Sequence, residues 1–364
     1  MTVERVHLIA AARPNFMKVA PLWHAFSEAA DFTPVLVHTG QHYDPNLSDR
    51  IFADLGLPRP DHHLGVGSGS HAEQTGRTMI AYEAVLAADR PDWLIVVGDV
   101  NATVAAAIVG AKAGVRVVHL EAGLRSRDRA MPEEINRLAT DAIVDVLWTP
   151  SSDADANLLA EGVDAARITR VGNIMIDSLE MVRRDIEAVD VPGELGLAPG
   201  YVLVTLHRPS NVDDPGQLER LVVALEAVAR EREVVFPVHP RTAARLESFG
   251  LRGRLDAAGV RLTEPLPYVR FMSLVMGAAA LVTDSGGIQE ETTYLGVPCL
   301  TLRENTERPI TVTEGTNRLV DVTTLLPALR AALADPPRGR CPDLWDGRTA
   351  GRCLEDLRRR RSRR

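Results

Sequence analysis

Short apolar runs alternate along this chain with polar turns and longer amphipathic stretches. Val6 to Ala11, Pro34 to His38, Trp93 to Val97, Val115 to Leu120, Val144 to Trp148 and Ile168 to Val171 each read as a buried strand. Between them, Phe16 to Ala29 has an amphipathic pattern, and an Ala-rich stretch ending at Ala113 reads as a helix. This strand–helix rhythm predicts a doubly wound α/β domain built on a parallel sheet. Ala188 to Gly200, rich in Gly and Pro, reads as a linker. The rhythm then resumes with Tyr201 to Leu206, Glu233 to Val238, Ala278 to Val282 and Cys299 to Leu302. A second domain of the same class is therefore expected to begin near residues 175–200. Leu325 to Leu333 reads as a helix with Pro327 in its first turn, where a missing N–H costs little. A terminal helix is expected from about Thr349.

Composition agrees with two cores. The chain has 364 residues, of which 45% are hydrophobic. The formal charge is −8, and without the six arginines of Arg358 to Arg364 it falls to −14. An acidic body argues against a broad nucleic-acid-binding face. The arginine tail reads as a frayed helix end rather than an anchor. Three scattered cysteines, Cys299, Cys341 and Cys353, make neither a disulfide framework nor a zinc site. No stretch reads as a signal peptide or a membrane span, so a cytoplasmic protein is expected.

The chemistry-bearing residues collect just after strands. In an open parallel sheet these positions share one edge, where ligands bind. Thr283-Asp284-Ser285-Gly286-Gly287 is a strand-to-helix turn. Its glycines let the backbone approach a ligand, and the helix N–H groups with the Ser285 hydroxyl suit a phosphate oxygen. Glu290 or Glu291, one turn on, suits the paired hydroxyls of a ribose. Arg13 and Lys18 flank the first strand-to-helix junction as candidate phosphate ligands or as solvated charges. Asp99, Glu121 and Glu133 follow strands in the first domain. A lone carboxylate there is often a helix cap, but three together suit acid–base work, because crowding separates their proton affinities. His207 with Arg208, and His239 with Arg241, end two strands of the second domain and suit an anion. Phe271 precedes the Ser-Gly-Gly turn and is either core or a flank for a base. The polar run Thr39 to Asp44 reads as a site loop. Gly65 to Ser70 reads as a flexible loop rather than a dinucleotide fingerprint, since no clear strand precedes it. Asp61-His62-His63 is a weak metal candidate.

Taken in order, Arg13-Pro14, Gly98-Asp99, HLEAGLRS at 119–126, MPEEINR at 131–137, TLHRPSNVD at 205–213, TDSGGIQEE at 283–291 and TERP at 306–309 resemble the non-hydrolysing UDP-N-acetylglucosamine 2-epimerase family. Each motif alone is weak, but the ordered set is specific and covers nearly the whole chain. The resemblance implies a GT-B architecture, with two Rossmann-like domains and the active site in the cleft between them. It implies a first domain over residues 1–175, rejoined by the C-terminal helix 349–364, and a UDP-binding domain over 176–348. The implied reaction interconverts UDP-GlcNAc and UDP-ManNAc in the cytoplasm, in a homodimer. UDP is eliminated to leave 2-acetamidoglucal, then adds back with the opposite configuration at C2.

By the same resemblance, Asp99, Glu121 and Glu133 are the acid–base carboxylates and His207 assists the departing diphosphate. Arg13, Lys18, Ser285, Gly286 and Gly287 bind phosphates; Arg208 and His239, picked above from their strand ends, are further candidates for binding this anionic substrate. Glu291 holds the ribose, Phe271 the uracil, and Arg308 the sugar or phosphate side. No metal or nicotinamide is implied, because UDP is the leaving group and returns. Three stretches depart from the family pattern. Ala11-Ala12-Arg13-Pro14-Asn15 stands where many members read GTRPE. Pro209-Ser210-Asn211 follows His207-Arg208 where many bacterial members have Arg-Glu. Gln41 to Leu47 lacks the QHR pattern associated with a second, activating UDP-GlcNAc. The competing readings are a hydrolysing epimerase, a GT-B glycosyltransferase, a non-catalytic nucleotide-sugar binder, and a metallophosphoesterase suggested by Gly98-Asp99 and Gly172-Asn173.

Overall fold

A computed structural model describes residues 3–11, 13–40, 55–337 and 339–361, with Arg13 and Pro14 described by backbone alone. Of the site-loop candidate Thr39 to Asp44, residues 41–44 therefore lie outside the described residues. The described chain divides into two compact units. One runs to Met181 and resumes at Asp343; the other is Val182–Pro342.

The first unit holds seven parallel strands: β1 (Glu4–Ala10), β2 (Phe32–His38), β3 (His62–His63), β4 (Trp93–Val97), β5 (Arg116–Leu120), β6 (Val146–Thr149) and β7 (Ile168–Arg170). Their order is β3-β2-β1-β4-β5-β6-β7. β1 pairs with β2 on one side and with β4 on the other, Val6 standing opposite Trp93. The winding direction therefore reverses between β1 and β4, and such a reversal opens a crevice beyond the strand ends. All five residues of β4 are buried, as expected of a strand covered on both faces.

The second unit holds β8 (Val202–Thr205), β9 (Val234–Pro237), β10 (Arg261–Thr263), β11 (Ala280–Thr283), β12 (Cys299–Leu302) and β13 (Asn317–Val320), all parallel. Their order is β10-β9-β8-β11-β12-β13, so the reversal lies between β8 and β11. Apolar residues of β8, β9 and β11 pack with Leu221, Leu225 and Val228 of helix Pro215–Ala229 into one core.

Several elements differ from the sequence reading. The first helix begins at Arg13 rather than Phe16, with Pro14 in its first turn, where proline's fixed φ suits a helix. Helix His71–Ala88 was not anticipated: only Thr78, Tyr82 and Leu86 form its buried stripe. Ser70 caps it, forming a reciprocal box with Glu73, so the end of the Gly65 to Ser70 loop is a helix start. The edge strands β10 and β13 were not anticipated either, since each is short and half polar. Ala188 to Gly200 is not a loose linker. It contains helix Val191–Glu194, and the Val191 N–H donates to Ser273 Oγ at 3.4 Å.

The boundary falls after Met181 rather than 175. Helix Ile174–Met181 packs on the first unit, where the Ser178 hydroxyl donates to the Met17 carbonyl over 2.5 Å. The terminal helix Thr349–Arg361 belongs to that unit as well. Asp177 accepts the N–H groups of Thr349 (3.0 Å) and Ala350 (2.8 Å), Trp148 Nε1 donates to Asp356 Oδ2 over 2.8 Å, and Cys353 and Leu357 are fully buried. The arginine run is not frayed through Arg361: Arg358 pairs with Asp31 (2.7 Å) and Arg360 with Asp356 (2.8 Å).

Candidate active site

In the first unit, the ends of β1, β4 and β5 bring Lys18, Asp99 and Glu121 to one sheet edge at the reversal. Glu121 is nearly buried and forms an ion pair with Lys18. Its φ is +70°, a left-handed conformation costly for a residue with a Cβ. The turn around it is held firmly enough to keep that strain. The Ala122 N–H donates to the Trp148 carbonyl over 3.1 Å, and the Gly123 N–H to Asp141 Oδ2 over 3.0 Å. Asp141 also takes His119 Nδ1 at 2.6 Å and Arg125 Nη1 at 2.8 Å. Burial pushes the Asp141 carboxyl up, but His119 and Arg125 outweigh it and hold it below the usual range.

Gly98, at φ +70°, is required here. A Cβ on it would stand 3.3 Å from Glu121 Oε2, 3.5 Å from Lys18 Nζ and 3.6 Å from Asn15 Nδ2. Asn15 donates to the Val97 carbonyl over 3.0 Å, tying the first helix to the end of β4. Asp99 is half-exposed and paired with buried Arg137. Glu133 is exposed in the first turn of helix Pro132–Ile143, whereas Glu134 beside it is buried. Arg13 opens the first helix by its backbone.

In the second unit, residues following β9, β8, β11 and β12 line the corresponding edge in that order. Asp284 is their hub and is fully buried. It accepts the N–H groups of His207 (3.0 Å) and Arg208 (2.9 Å), Asn211 Nδ2 (3.1 Å) and His207 Nδ1 (3.0 Å). Burial pushes its carboxyl up, but the His207 ring and these donors hold it below the usual range. The ionised Asp284 thus fixes the His207 ring, which is about two-fifths exposed, by one nitrogen and frees Nε2 for a ligand. The His239 ring lies 5.5 Å from that of His207, and its Nδ1 accepts the Arg241 N–H at 3.2 Å, which leaves the proton on Nε2. Burial, then the neighbouring His207, lowers its pKa.

Ser285, Gly286 and Gly287 are half-buried ahead of helix Ile288–Leu295. The Ser285 N–H donates to Thr283 Oγ1 at 3.0 Å, and those of Gln289 and Glu290 bond back to the Gly286 (3.3 Å) and Gly287 (3.0 Å) carbonyls. A Cβ on Gly286 would meet Glu307 Oε1 at 2.6 Å, while one on Gly287 would meet nothing within 4 Å. Arg308 contacts Glu290 Oε1 at 2.9 Å and Glu307 Oε1 at 2.5 Å, and Arg303 reaches Glu307 Oε2 at 2.8 Å. Glu291 is buried, and its Oε1 accepts the Tyr268 hydroxyl at 2.5 Å. Phe271 is half-buried three residues further along the same helix, Tyr268–Gly277, on the face that Tyr268 occupies.

The sequence reading picked the strand-end carboxylates and histidines but gave no role to Asp284, Arg137, Tyr268 or Glu307. For Asp284, Arg137 and Glu307 the only signal was membership of the quoted motifs; Tyr268 lies outside them, three residues before Phe271. The metal candidate separates into other roles. Asp61 accepts the Leu36 N–H at 2.7 Å, His62 meets Asp89 at 3.0 Å, and the His63 ring packs 4.8 Å from that of His38. Gly172-Asn173 likewise serves packing: a Cβ on Gly172, at φ +95°, would lie 2.2 Å from the Leu344 carbonyl, and Asn173 Oδ1 accepts the Met175 N–H at 2.9 Å. Among the described residues no helix is long and apolar enough to cross a membrane.

A family profile described as UDP-N-acetylglucosamine 2-epimerase matches residues 24–358. A UDP-N-acetylglucosamine 2-epimerase of Methanococcus maripaludis is 39% identical over 86% of this chain and 87% of its own. A UDP-2,3-diacetamido-2,3-dideoxy-D-glucuronate 2-epimerase of Pseudomonas aeruginosa is also 39% identical, over 87% of this chain and 88% of its own. The crystal structure of the Methanocaldococcus jannaschii UDP-GlcNAc 2-epimerase in complex with UDP-GlcNAc and UDP superposes with a TM-score of 0.88 at 38% identity, covering 97% of this chain and 99% of that one.

Proposed function

We propose, from the premise that the chain belongs to the UDP-N-acetylglucosamine 2-epimerase family, that it interconverts UDP-GlcNAc and UDP-ManNAc without hydrolysing either. The observation that carries the reading is a shared layout. Each unit gathers its candidate residues at the winding reversal of a parallel sheet, carboxylates in one and an anion-binding turn in the other.

The C2 hydrogen of the sugar is not beside a carbonyl and is a weak acid. A carboxylate removes it while the C1–O bond breaks, and the bond electrons leave with UDP. The product, 2-acetamidoglucal, takes a proton at C2 from the opposite face as UDP re-forms the C1–O bond. Asp99, Glu121 and Glu133 supply the base and the acid. Lys18 pairs with Glu121 and Arg137 with Asp99, which holds both carboxylates in place. His207 Nε2, oriented through Asp284, serves the departing diphosphate, with His239 Nε2 and Arg208 beside it. Ser285, Gly286, Gly287, Arg13 and Lys18 bind phosphate oxygens, Glu291 the ribose, Phe271 the uracil and Arg308 the sugar or phosphate side. The family's usual compartment and assembly, the cytoplasm and a homodimer, come with this reading. The dimer gains support from exposed Ile80, Ile135 and Ile143 on two helices of the first unit.

Proton NMR with UDP-GlcNAc in D2O tests the reading. Growth of UDP-ManNAc with deuterium at C2 is expected. Free ManNAc and UDP would replace it with the hydrolysing reaction, and no exchange would reject both. A C6-oxidised, C3-acetamido UDP-sugar is a second substrate reading, favoured by the equal identity of the Pseudomonas relative. The same experiment with that sugar, compared as kcat/KM, decides between them.

A further inference from the structure

Two consecutive residues of helix Pro132–Ile143 grip Asp99 from opposite ends. Asn136 Nδ2 donates to the Asp99 carbonyl over 2.9 Å, and Arg137 Nη1 donates to its carboxylate oxygen Oδ2. Among the described residues no hydrogen bond reaches Oδ1, and the Asp99 side chain keeps 30% of its surface. One oxygen is therefore fixed and the other presented. Arg137 is only 2% exposed, so its direction is set by what surrounds it.

What surrounds it is Glu134, one turn back on the same helix. Glu134 Oε2 accepts Arg137 Nε at 3.1 Å and Nη2 at 2.9 Å. Glu134 is itself held by the N–H groups of Ser126 and Arg127, both at 2.9 Å, and by the Ser126 hydroxyl at 3.0 Å. Burial pushes the Glu134 carboxyl up, but these N–H groups and Arg137 outweigh it and hold it below the usual carboxylate range. Glu134 thus clamps two arms of a planar guanidinium and aims the third at Asp99. A lysine cannot reproduce that fork.

We propose that Arg137 is the positioning residue for Asp99, holding its carboxylate in a single orientation with Oδ1 presented while an anionic sugar nucleotide is bound. This rests on the reading that Asp99 is one of the acid–base carboxylates. Glu134 acts one step further back, by orienting Arg137.

The experiment is a double-mutant cycle on the full chain, read by C2–H exchange in D2O with kcat and KM measured separately. Arg137→Met is expected to lower kcat by about 10²-fold and to leave KM within about threefold, since Arg137 orients the carboxylate and touches no substrate. Arg137→Lys is expected to recover only part of kcat, because it keeps the charge without the fork. In an Asp99→Asn background, Arg137→Met is expected to change kcat by less than about threefold, because its effect passes through the missing carboxylate. Full additivity of the two losses, or a loss in Arg137→Met confined to KM, overturns the proposal and leaves Arg137 a structural residue. An Asp99→Asn variant with a wild-type rate overturns the underlying reading of Asp99 and the proposal with it. Should Arg137→Met fail to fold, the cycle is run with Arg137→Lys, whose loss must likewise vanish in the Asp99→Asn background.

Discussion

The Tyr268 hydroxyl donates to Glu291 Oε1 over 2.5 Å, within the buried start of helix Ile288–Leu295. Burial pushes the Glu291 carboxyl up to about 7, and neighbouring Glu290 adds to the rise, while the Tyr268 hydrogen bond opposes it. Near neutrality Glu291 therefore shares its site between a protonated and an ionised form. Only the ionised form accepts hydrogen bonds from both ribose hydroxyls.

UDP affinity is accordingly expected to fall as pH drops below about 7, approaching tenfold per pH unit. Tyr268→Phe removes the hydrogen bond that favours ionisation, so the midpoint moves to higher pH. Calorimetric titration of UDP between pH 5.5 and 8.5 checks both, and a flat profile in the wild type would remove Glu291 from the ribose. The stability linkage has the opposite sense. Between the ordinary carboxylate pKa and about 7 the folded chain binds the extra proton, so Glu291 lowers stability as pH rises through that window, by about 3 kcal/mol in full. Glu291→Gln should flatten this part of a urea-denaturation series.

Asp99→Asn, Glu121→Gln and Glu133→Gln are each expected to lower turnover by about 10²- to 10⁴-fold with UDP still bound. Deuterium incorporation at C2, measured beside UDP affinity, separates chemistry from binding. Near-normal rates in all three would overturn the acid–base assignment.

The two turn glycines should separate. A Cβ on Gly286 meets Glu307 Oε1 at 2.6 Å, beside the ion pairs of Arg303 and Arg308, so Gly286→Ala should lower both the Tm and UDP affinity. Gly287 has open space around its Cβ position, so Gly287→Ala should leave the Tm within about 2 °C yet weaken UDP binding. Equal Tm losses in both would mean that the turn tolerates neither for structural reasons.

Asp356 accepts Trp148 Nε1 at 2.8 Å and Thr169 Oγ1 at 3.1 Å, and it pairs with Arg360. Asp356→Ala strands these buried donors and should cost about 2–3 kcal/mol in urea denaturation. Activity per folded molecule should stay unchanged, since Asp356 lies in no proposed substrate contact.

The sequence by itself determined the alternation of apolar runs and helices, and hence two parallel sheets. It also determined that Asp99, Glu121, His207, His239 and the Ser285-Gly286-Gly287 turn follow strands. A strand's carboxyl end is a local property, readable from where an apolar run stops. Pairings were not readable in this way. Arg137 lies 38 positions from Asp99, and Asp284 lies 77 from the His207 it orients. Which buried charge meets which depends on strand order and on the burial that makes an unpaired charge costly. The thin stripe of His71–Ala88 and the short edges β10 and β13 escaped for a related reason: their local patterns are weak, and neighbours in space supply what the pattern lacks. Tertiary structure alone decided that Glu134 anchors, Arg137 aims and Asp99 is presented, because only packing makes one of two adjacent glutamates buried and leaves the other exposed.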